Sequence, residues 1–364
     1  MIVAVVLFWV SLGALVWTHV GYPAVARVLG RVRERSVRRG DDEAPVVAVI
    51  VTAHNEESVI ARRIENIAAL DYPGDRLEIV VTSDASTDAT ETLAEQAGAR
   101  VVRNARGGKV AAQNAAVRAT GAEVVAFTDA NSTWAPDALR KLVRAFADPA
   151  VAYVCGRLNI VGGDGHNKEG LYWRYELALR ADESRLDSVT GGNGSIYAVR
   201  RSDYVEVDPR FGHDLSLPYL MVQQGRRAVY DAEANAYEKA TPTTEDEYRR
   251  KVRMFEHCWA IVVEGKMLRG LRPVYLLEIV SHRHLRYASG LLHLILLASS
   301  VALVGSGTVY AVALGLQLGV LAAALLGVGL PRYYVLVTWA TVVALWNYVR
   351  RGVPATWEPA EGTR

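Results

Sequence analysis

Apolar positions in this chain are segregated rather than spread evenly. Residues 2–20 contain no Asp, Glu, Lys or Arg, and His19 is the only titratable side chain among them. About 20 such residues reach across a hydrocarbon core about 30 Å thick. Three more apolar runs, 288–304, 308–330 and 333–349, follow near the other end, punctuated by Gly305, Gly307 and Pro331. Between these membrane-length stretches the period changes. Short apolar runs at 46–52, 77–82, 100–104 and 124–128 suit strands of a parallel sheet buried on both faces. They alternate with segments at 58–69, 87–97 and 109–119 that read as helices. Asn55, Glu56 and Glu57 offer a cap and first-turn negative charge to the first of these. Strand alternating with helix predicts a doubly wound α/β sheet.

The expected organisation is a membrane anchor (1–22), a basic linker (23–44), a catalytic α/β domain (45–286), a C-terminal membrane region (287–350) and a tail (351–364). Arg27, Arg31, Arg33, Arg35, Arg38 and Arg39 follow the anchor. The positive-inside rule makes that flank cytoplasmic and points Met1 outward. A cleaved signal peptide would need a basic start, and none follows Met1, so a retained anchor is expected. Ser281 to Tyr287 reads as a basic, aromatic strip at the cytoplasmic membrane surface. Three full crossings from there would leave the tail outside. Arg350 and Arg351 argue for the inside, and the sequence leaves that conflict open.

Composition adds exclusions. Lys and Arg number 41 against 39 Asp and Glu, a net charge of +2, too small for a nucleic-acid footprint. The two cysteines, Cys155 and Cys258, match no zinc or redox spacing and read as reduced structural thiols.

In doubly wound sheets ligands bind at the carboxyl ends of the strands, and oxygen-bearing side chains cluster there. Thr52, His54, Asn55 and Glu56 follow the first run. Ser83, Asp84 and Asp88 follow the second, and Asp129 and Asn131 the fourth. Asp84 is placed to accept hydrogen bonds from a base or ribose. Asp129 is placed to bind a hard divalent cation that bridges phosphates. Capping is the competing role for Asp84 and Asp88; three strand ends in register are harder to explain that way.

These residues resemble the membrane-integral branch of the family 2 glycosyltransferases with a GT-A fold, which includes hyaluronan, chitin and cellulose synthases and many bacterial polysaccharide transferases. The resemblance runs from the first apolar stretch to Trp357 and Glu358. It implies a donor-nucleotide pocket opened by Thr52, His54, Asn55 and Glu56, with Asp84 on the nucleotide and Lys109 beside the donor. It implies a divalent cation, Mg2+ or Mn2+, held on the donor diphosphate by Asp129 and Asn131; Asn131 stands where the family has a second Asp. Gly192, Asn193 and Gly194 match the acceptor loop. Asp214 takes the position of the catalytic base, and His213, where the family usually has an acid, is expected to pack. Arg250 and Arg253, three apart on one helical face, suit a diphosphate. Met254 replaces the Trp that flanks the acceptor in long-chain synthases, which leaves processivity open. Aromatics at 172–175 could stack on sugar or lie at the membrane.

The function so implied is inverting transfer from a nucleotide-sugar, expected to be a UDP-sugar, to a saccharide acceptor in cell-surface polysaccharide synthesis. The expected location is the plasma membrane, multi-pass, with the catalytic domain cytoplasmic. The expected partners are the donor, a saccharide or lipid-linked acceptor and the bilayer, with no nucleic acid. Oligomeric state is left open. Two alternatives stand beside this reading: a single-addition transferase acting on a lipid-linked acceptor, and a catalytically silent membrane assembly or transport partner. The near absence of charge in the C-terminal apolar runs argues against transport.

Overall fold

The computed structural model describes residues 1–40, 44–161, 168–239 and 243–356; Trp357 and Glu358 lie outside them. Helices α1 (Ile2–Val16) and α2 (Tyr22–Val32) join through a π turn at Trp17–Gly21 into one helix 31 residues long. The alternation then runs β1 (Val47–Ala53), α3 (Ile60–Ala68), β2 (Leu77–Asp84), α4 (Thr90–Gln96), β3 (Arg100–Asn104), α5 (Lys109–Ala119) and β4 (Val124–Asp129). Next come β5 (Thr133–Trp134), α6 (Ala138–Val143), β6 (Val151–Val161), α7 (Lys168–Leu186), β7 (Tyr197–Arg200), α8 (His213–Gln223) and β8 (Arg227–Lys239). Helices α9 (Thr244–Glu264), α10 (Pro273–Glu278) and α11 (Leu285–Tyr287) lead to α12 (Ser289–Leu303), α13 (Thr308–Leu325) and α14 (Gly329–Arg351).

All eight strands form one sheet of order β3-β2-β1-β4-β7-β6-β8-β5. β3, β2, β1 and β4 are mutually parallel, whereas β7 pairs antiparallel with both β4 and β6. β1 is buried throughout, because both faces of the sheet are covered. Val47, Val49 and Val51 pack with Ile60, Ile64 and Ile67 of α3, and Ala48 and Ile50 pack with Val110, Ala116 and Val117 of α5. Strand order reverses between β1 and β4, the switch point where a doubly wound sheet opens a crevice.

Several expectations change. Asn55 does not cap α3, which starts at Ile60 without a side-chain cap. The anchor helix does not end near residue 22 but continues to Val32 and packs against α7, where a Cβ at Gly30 would lie 2.9 Å from the Asp182 carbonyl. Among the described residues three helices are long and apolar enough to cross a membrane: Ile2–Val32, Ser289–Ser306 and Thr308–Leu325. α14, the third C-terminal candidate, is not among them. It packs on α9 instead, through Trp259 donating to the Thr341 carbonyl (3.0 Å), Asn347 to Glu256 (2.7 Å) and Arg351 to Glu256 (3.0 Å). Nor is the segment from Ser281 to Tyr287 a surface strip. Its His282 and Arg286 are buried, for reasons given below.

Candidate active site

One side of the candidate site, where the sequence places the donor, is built at the ends of β1 and β2. Asp84 closes β2 and is 2% exposed. One of its oxygens accepts the N–H groups of Gly107 (2.7 Å) and Gly108 (3.0 Å), and the other takes Arg106 Nη1 at 2.8 Å. Asp84 is therefore no helix cap; it clamps the loop that starts α5 and so aims Lys109, the first residue of that helix. Gly108 has φ +88°, and a Cβ there would lie 1.9 Å from the Ala355 carbonyl oxygen. Only glycine fits both demands. Ala85 sits at φ +56°, unusual for a residue with a Cβ, and this turn follows Asp84 directly.

His54 Nδ1 lies 2.8 Å from the Asp84 carbonyl oxygen. Asn55 accepts the Thr87 N–H at 2.8 Å and donates its own N–H to Ser86. The Glu56 N–H donates to Thr90 Oγ1 at 2.7 Å. The β1 end is thus laced to the segment after β2. Thr52 pairs in register with Asp129, and its buried hydroxyl has no hydrogen-bond partner among the described residues.

The reacting side gathers Lys109, Asp129, Gly194 and Asp214. Lys109 Nζ donates to Asp129 Oδ1. A Cβ at Gly194 would come within 3.1 Å of Lys109 Nζ and 3.2 Å of Asp129 Oδ2. Two residues earlier, Gly192 donates its N–H to the Asp214 carbonyl at 2.9 Å, and a Cβ there would collide with the Tyr153 hydroxyl at 1.8 Å. One glycine-rich loop therefore touches both acidic residues. Asn193 is a correction: its side chain is buried and faces inward. Nδ2 donates to the Gly156 carbonyl (2.9 Å), and Oδ1 accepts from the N–H groups of Ser195 and Ile196. It shapes the loop and does not present its side chain to an acceptor.

Asp214 lies in the first turn of α8, half-buried. Burial raises its pKa, Lys109 opposes that and Asp129 adds to it, leaving the carboxyl above its ordinary value. For Lys109 burial pulls down, but Asp129 outweighs it, so the ammonium is held charged. His213 packs as expected: it is 3% exposed, between the hydroxyls of Tyr197 (2.6 Å) and Tyr204 (2.7 Å). Burial lowers its pKa to about 3, so the ring is neutral and cannot act as a cation on Asp214.

Arg250 and Arg253 lie on α9, with Arg250 Nε bonded to Glu247 at 2.9 Å. Burial, then Arg250, lowers the pKa of Arg253. Met254 is 38% exposed on the same helix.

Two charged residues escaped the sequence reading. Glu238 is near the end of β8 and accepts Ser195 Oγ. Burial and then Asp129 raise its pKa. Arg63 is buried on α3, donates Nη2 to Thr128 Oγ1 at 2.8 Å and lies 5.1 Å above the Trp134 ring. Its signal was present: Arg63 interrupts the Ile60, Ile64, Ile67 face of α3. Glu238 had a weaker one, an acid at the edge of a strand ahead of an Arg-rich helix.

The oxygen donors here suit a hard divalent cation. Asp129 already holds one positive group, the Lys109 ammonium, and Asn131 follows in the next turn.

On its other side the glycine loop meets the membrane region. Arg283 Nε donates to the Thr190 carbonyl and hydroxyl, and its Nη2 would be 2.6 Å from a Cβ at Gly191. His282 Nδ1 faces Glu183 Oε1 at 2.7 Å, and Nε2 faces Glu176 at 3.2 Å. Glu183 also accepts from Tyr22 of the N-terminal helix (2.8 Å) and from Thr190 (3.1 Å). Arg286 pairs with Glu176 and lies 5.5 Å over Tyr175. These carboxylates explain why His282 and Arg286 are buried. Tyr175 of α7 joins this junction by donating to the His19 carbonyl, whereas Trp173 donates to the Leu158 carbonyl of β6.

The α/β domain thus presents Asp84 and Asp129 at the carboxyl ends of its parallel strands. Residues 48–207 match the model of Glycosyl transferase family 2. A beta-monoglucosyldiacylglycerol synthase of Synechocystis sp. is 32% identical over 208 residues, 52% of this chain and 42% of that protein. An N-acetylglucosaminyltransferase of Rhizobium meliloti is 28% identical over 286 residues, 70% of this chain and 67% of that protein. The match thus spans about two fifths of the Synechocystis relative's length. Among solved structures, mannosyltransferase PcManGT from Pyrobaculum calidifontis, in complex with GDP-Man and Mn2+, superposes with a TM-score of 0.77 at 23% identity, covering 95% of this chain and 98% of that one. That likeness shows the fold, membrane-length helices included.

Proposed function

We propose that this protein transfers a sugar, with inversion, from a nucleoside-diphosphate sugar to a hydroxyl presented at the cytoplasmic face of the membrane. One observation carries the reading: a single glycine-rich loop lies against Lys109 and Asp129 at one end and against Asp214 at the other. Donor diphosphate and acceptor hydroxyl would meet across it. The acceptor O–H gives its proton to the Asp214 carboxylate as the oxygen attacks the anomeric carbon. The bond from that carbon to the diphosphate oxygen breaks, and the leaving group departs with the electron pair. Such a base contributes about 10²–10⁴-fold in rate. Lys109 and the guanidinium groups of Arg250 and Arg253 would offset the charge developing on the diphosphate. A divalent cation, Mg2+ or Mn2+, held by Asp129 and Asn131 would neutralise that charge further.

The donor is proposed to be a UDP-sugar. The acceptor is proposed to be lipid-borne, a lipid or lipid-linked saccharide, ahead of a long free polymer. The junction of α7, Arg283 and the N-terminal helix supports this, because the proposed acceptor loop is joined through Glu183 to the N-terminal helix and through Arg283 to the segment that leads into α12. In the matching topology Met1 is outside and α12 and α13 cross as a pair. α14 stays at the inner surface on α9, and Arg350 and Arg351 remain inside. That arrangement removes the conflict a third crossing would create.

Purified protein in detergent, given UDP- and GDP-linked sugars with diacylglycerol, polyprenyl phosphate and oligosaccharide acceptors, tests the reading. The expected result is one sugar added to a lipid acceptor with inverted anomeric configuration. A retained configuration, or transfer to free oligosaccharide alone, would overturn it.

A further inference from the structure

Asn131 leaves the candidate cation site one negative charge short of a paired-carboxylate arrangement. We propose that Glu238 supplies the missing carboxylate, reaching the cation from the end of β8. This rests on the reading that a divalent cation binds at Asp129.

The geometry comes from two adjacent residues of the glycine loop. Gly194 has its Cα against Asp129, where a Cβ would be 3.2 Å from Oδ2. Ser195, the next residue, donates its hydroxyl to Glu238. The loop cannot drift between the two, because the Ser195 carbonyl accepts Thr128 Oγ1 at 3.0 Å and Trp134 Nε1 at 2.8 Å. Thr128 is the residue before Asp129, so β4 and β8 are tied to one point. Arg63 lies behind both carboxylates: its Nη2 grips Thr128, and it interacts electrostatically with Asp129 and Glu238. Lys109 stands in front, on Asp129. Asp129 and Glu238 thus lie against adjacent residues of one loop, and the charge of each is felt by Arg63 and by the other. A hard divalent cation offsets that like charge and takes carboxylate oxygen readily.

The competing role for Glu238 is structural, to anchor Ser195. Glu238→Gln separates the two, since its amide oxygen still accepts the Ser195 hydroxyl but carries no charge. The experiment measures Mn2+ binding to the full-length protein in detergent, by loss of the free-ion electron paramagnetic resonance signal, with UDP or GDP present. Nucleotide binding without metal is measured in parallel. Glu238→Gln is expected to weaken Mn2+ binding about 10–100-fold and to leave metal-free nucleotide binding unchanged. Adding Asn131→Asp to that variant is expected to recover most of the loss. Wild-type Mn2+ affinity in Glu238→Gln, or no recovery on adding Asn131→Asp, would overturn the assignment. If the wild-type protein takes up no Mn2+ with either nucleotide, the cation reading itself fails and Glu238 falls with it.

Discussion

The proposed donor pocket and the proposed acceptor pocket share one loop but are assembled over very different lengths of chain. On the proposed donor side the hydrogen bonds between strand ends are local, Lys109 meeting Asp129 across 20 residues and Glu56 meeting Thr90 across 34, while Gly108 also lies against the distant Ala355. On the acceptor side Thr190 meets His282 across 92 residues, Tyr22 meets Glu183 across 161, and Thr18 meets Ser281 across 263. The donor side is backbone clamped by backbone and short polar side chains. The acceptor side is a buried network of charges joining the catalytic domain to its membrane helices. The first should tolerate little change in backbone shape, and the second little change in charge.

The largest stability effect therefore belongs to the acceptor side. Glu183→Ala removes the shared partner of Tyr22, Thr190 and His282, and breaking such a buried set costs about 3–5 kcal/mol. Thermal unfolding in detergent should show a large drop in Tm, with donor binding preserved in the protein that remains folded. An unchanged Tm would mean the junction is not a stabilising unit.

Gly108→Ala should act on the other pocket. The new Cβ meets the Ala355 carbonyl and an unfavourable φ, so the clamp on Asp84 must shift. Donor affinity is expected to fall at least about tenfold, equivalent to about 1.4 kcal/mol, with Tm reduced far less than in Glu183→Ala. Calorimetric titration of the nucleotide checks this.

A smaller effect should appear with pH. The Asp214 carboxyl is raised, first by burial, and a base works only when ionised. Activity should therefore be lost as pH falls through that raised value, placing the acid limb of kcat/KM above the ordinary aspartate value of about 3.9. A limb at or below that value would contradict the burial of Asp214.

The smallest expected change is at Ala85. Ala85→Gly relieves a left-handed backbone, and a gain below about 1 kcal/mol is expected. Chemical denaturation would detect it, and a clear loss of stability would show that the turn is not strained.

The same contrast in chain length explains what the sequence disclosed. Parallel strands buried on both faces write themselves as apolar runs, and their polar ends follow at once, so Asp84, Lys109 and Asp129 could be placed from local pattern. The start of α5 at Lys109 was legible because glycines precede it. Glu238 was not, because its meaning depends on β8 lying beside β6 and on Ser195 arriving from another loop. The strip around His282 looked like a membrane surface since its carboxylate partners, Glu176 and Glu183, lie about 100 residues away. α14 read as a candidate crossing for a related reason: its partners on α9, Glu256 and Trp259, lie far back along the chain. The inward turn of Asn193 was not legible, because a loop asparagine can turn either way, and here three backbone groups claim it.

The central claim is that Asp214 removes the acceptor proton while the donor is held elsewhere, and Asp214→Asn tests it most directly. Donor binding and sugar transfer should be measured on the same preparation, with the acceptor identified by the panel above. The account predicts unchanged nucleotide-sugar affinity and a transfer rate lower by about 10²–10⁴-fold. Transfer at the wild-type rate in Asp214→Asn would contradict it.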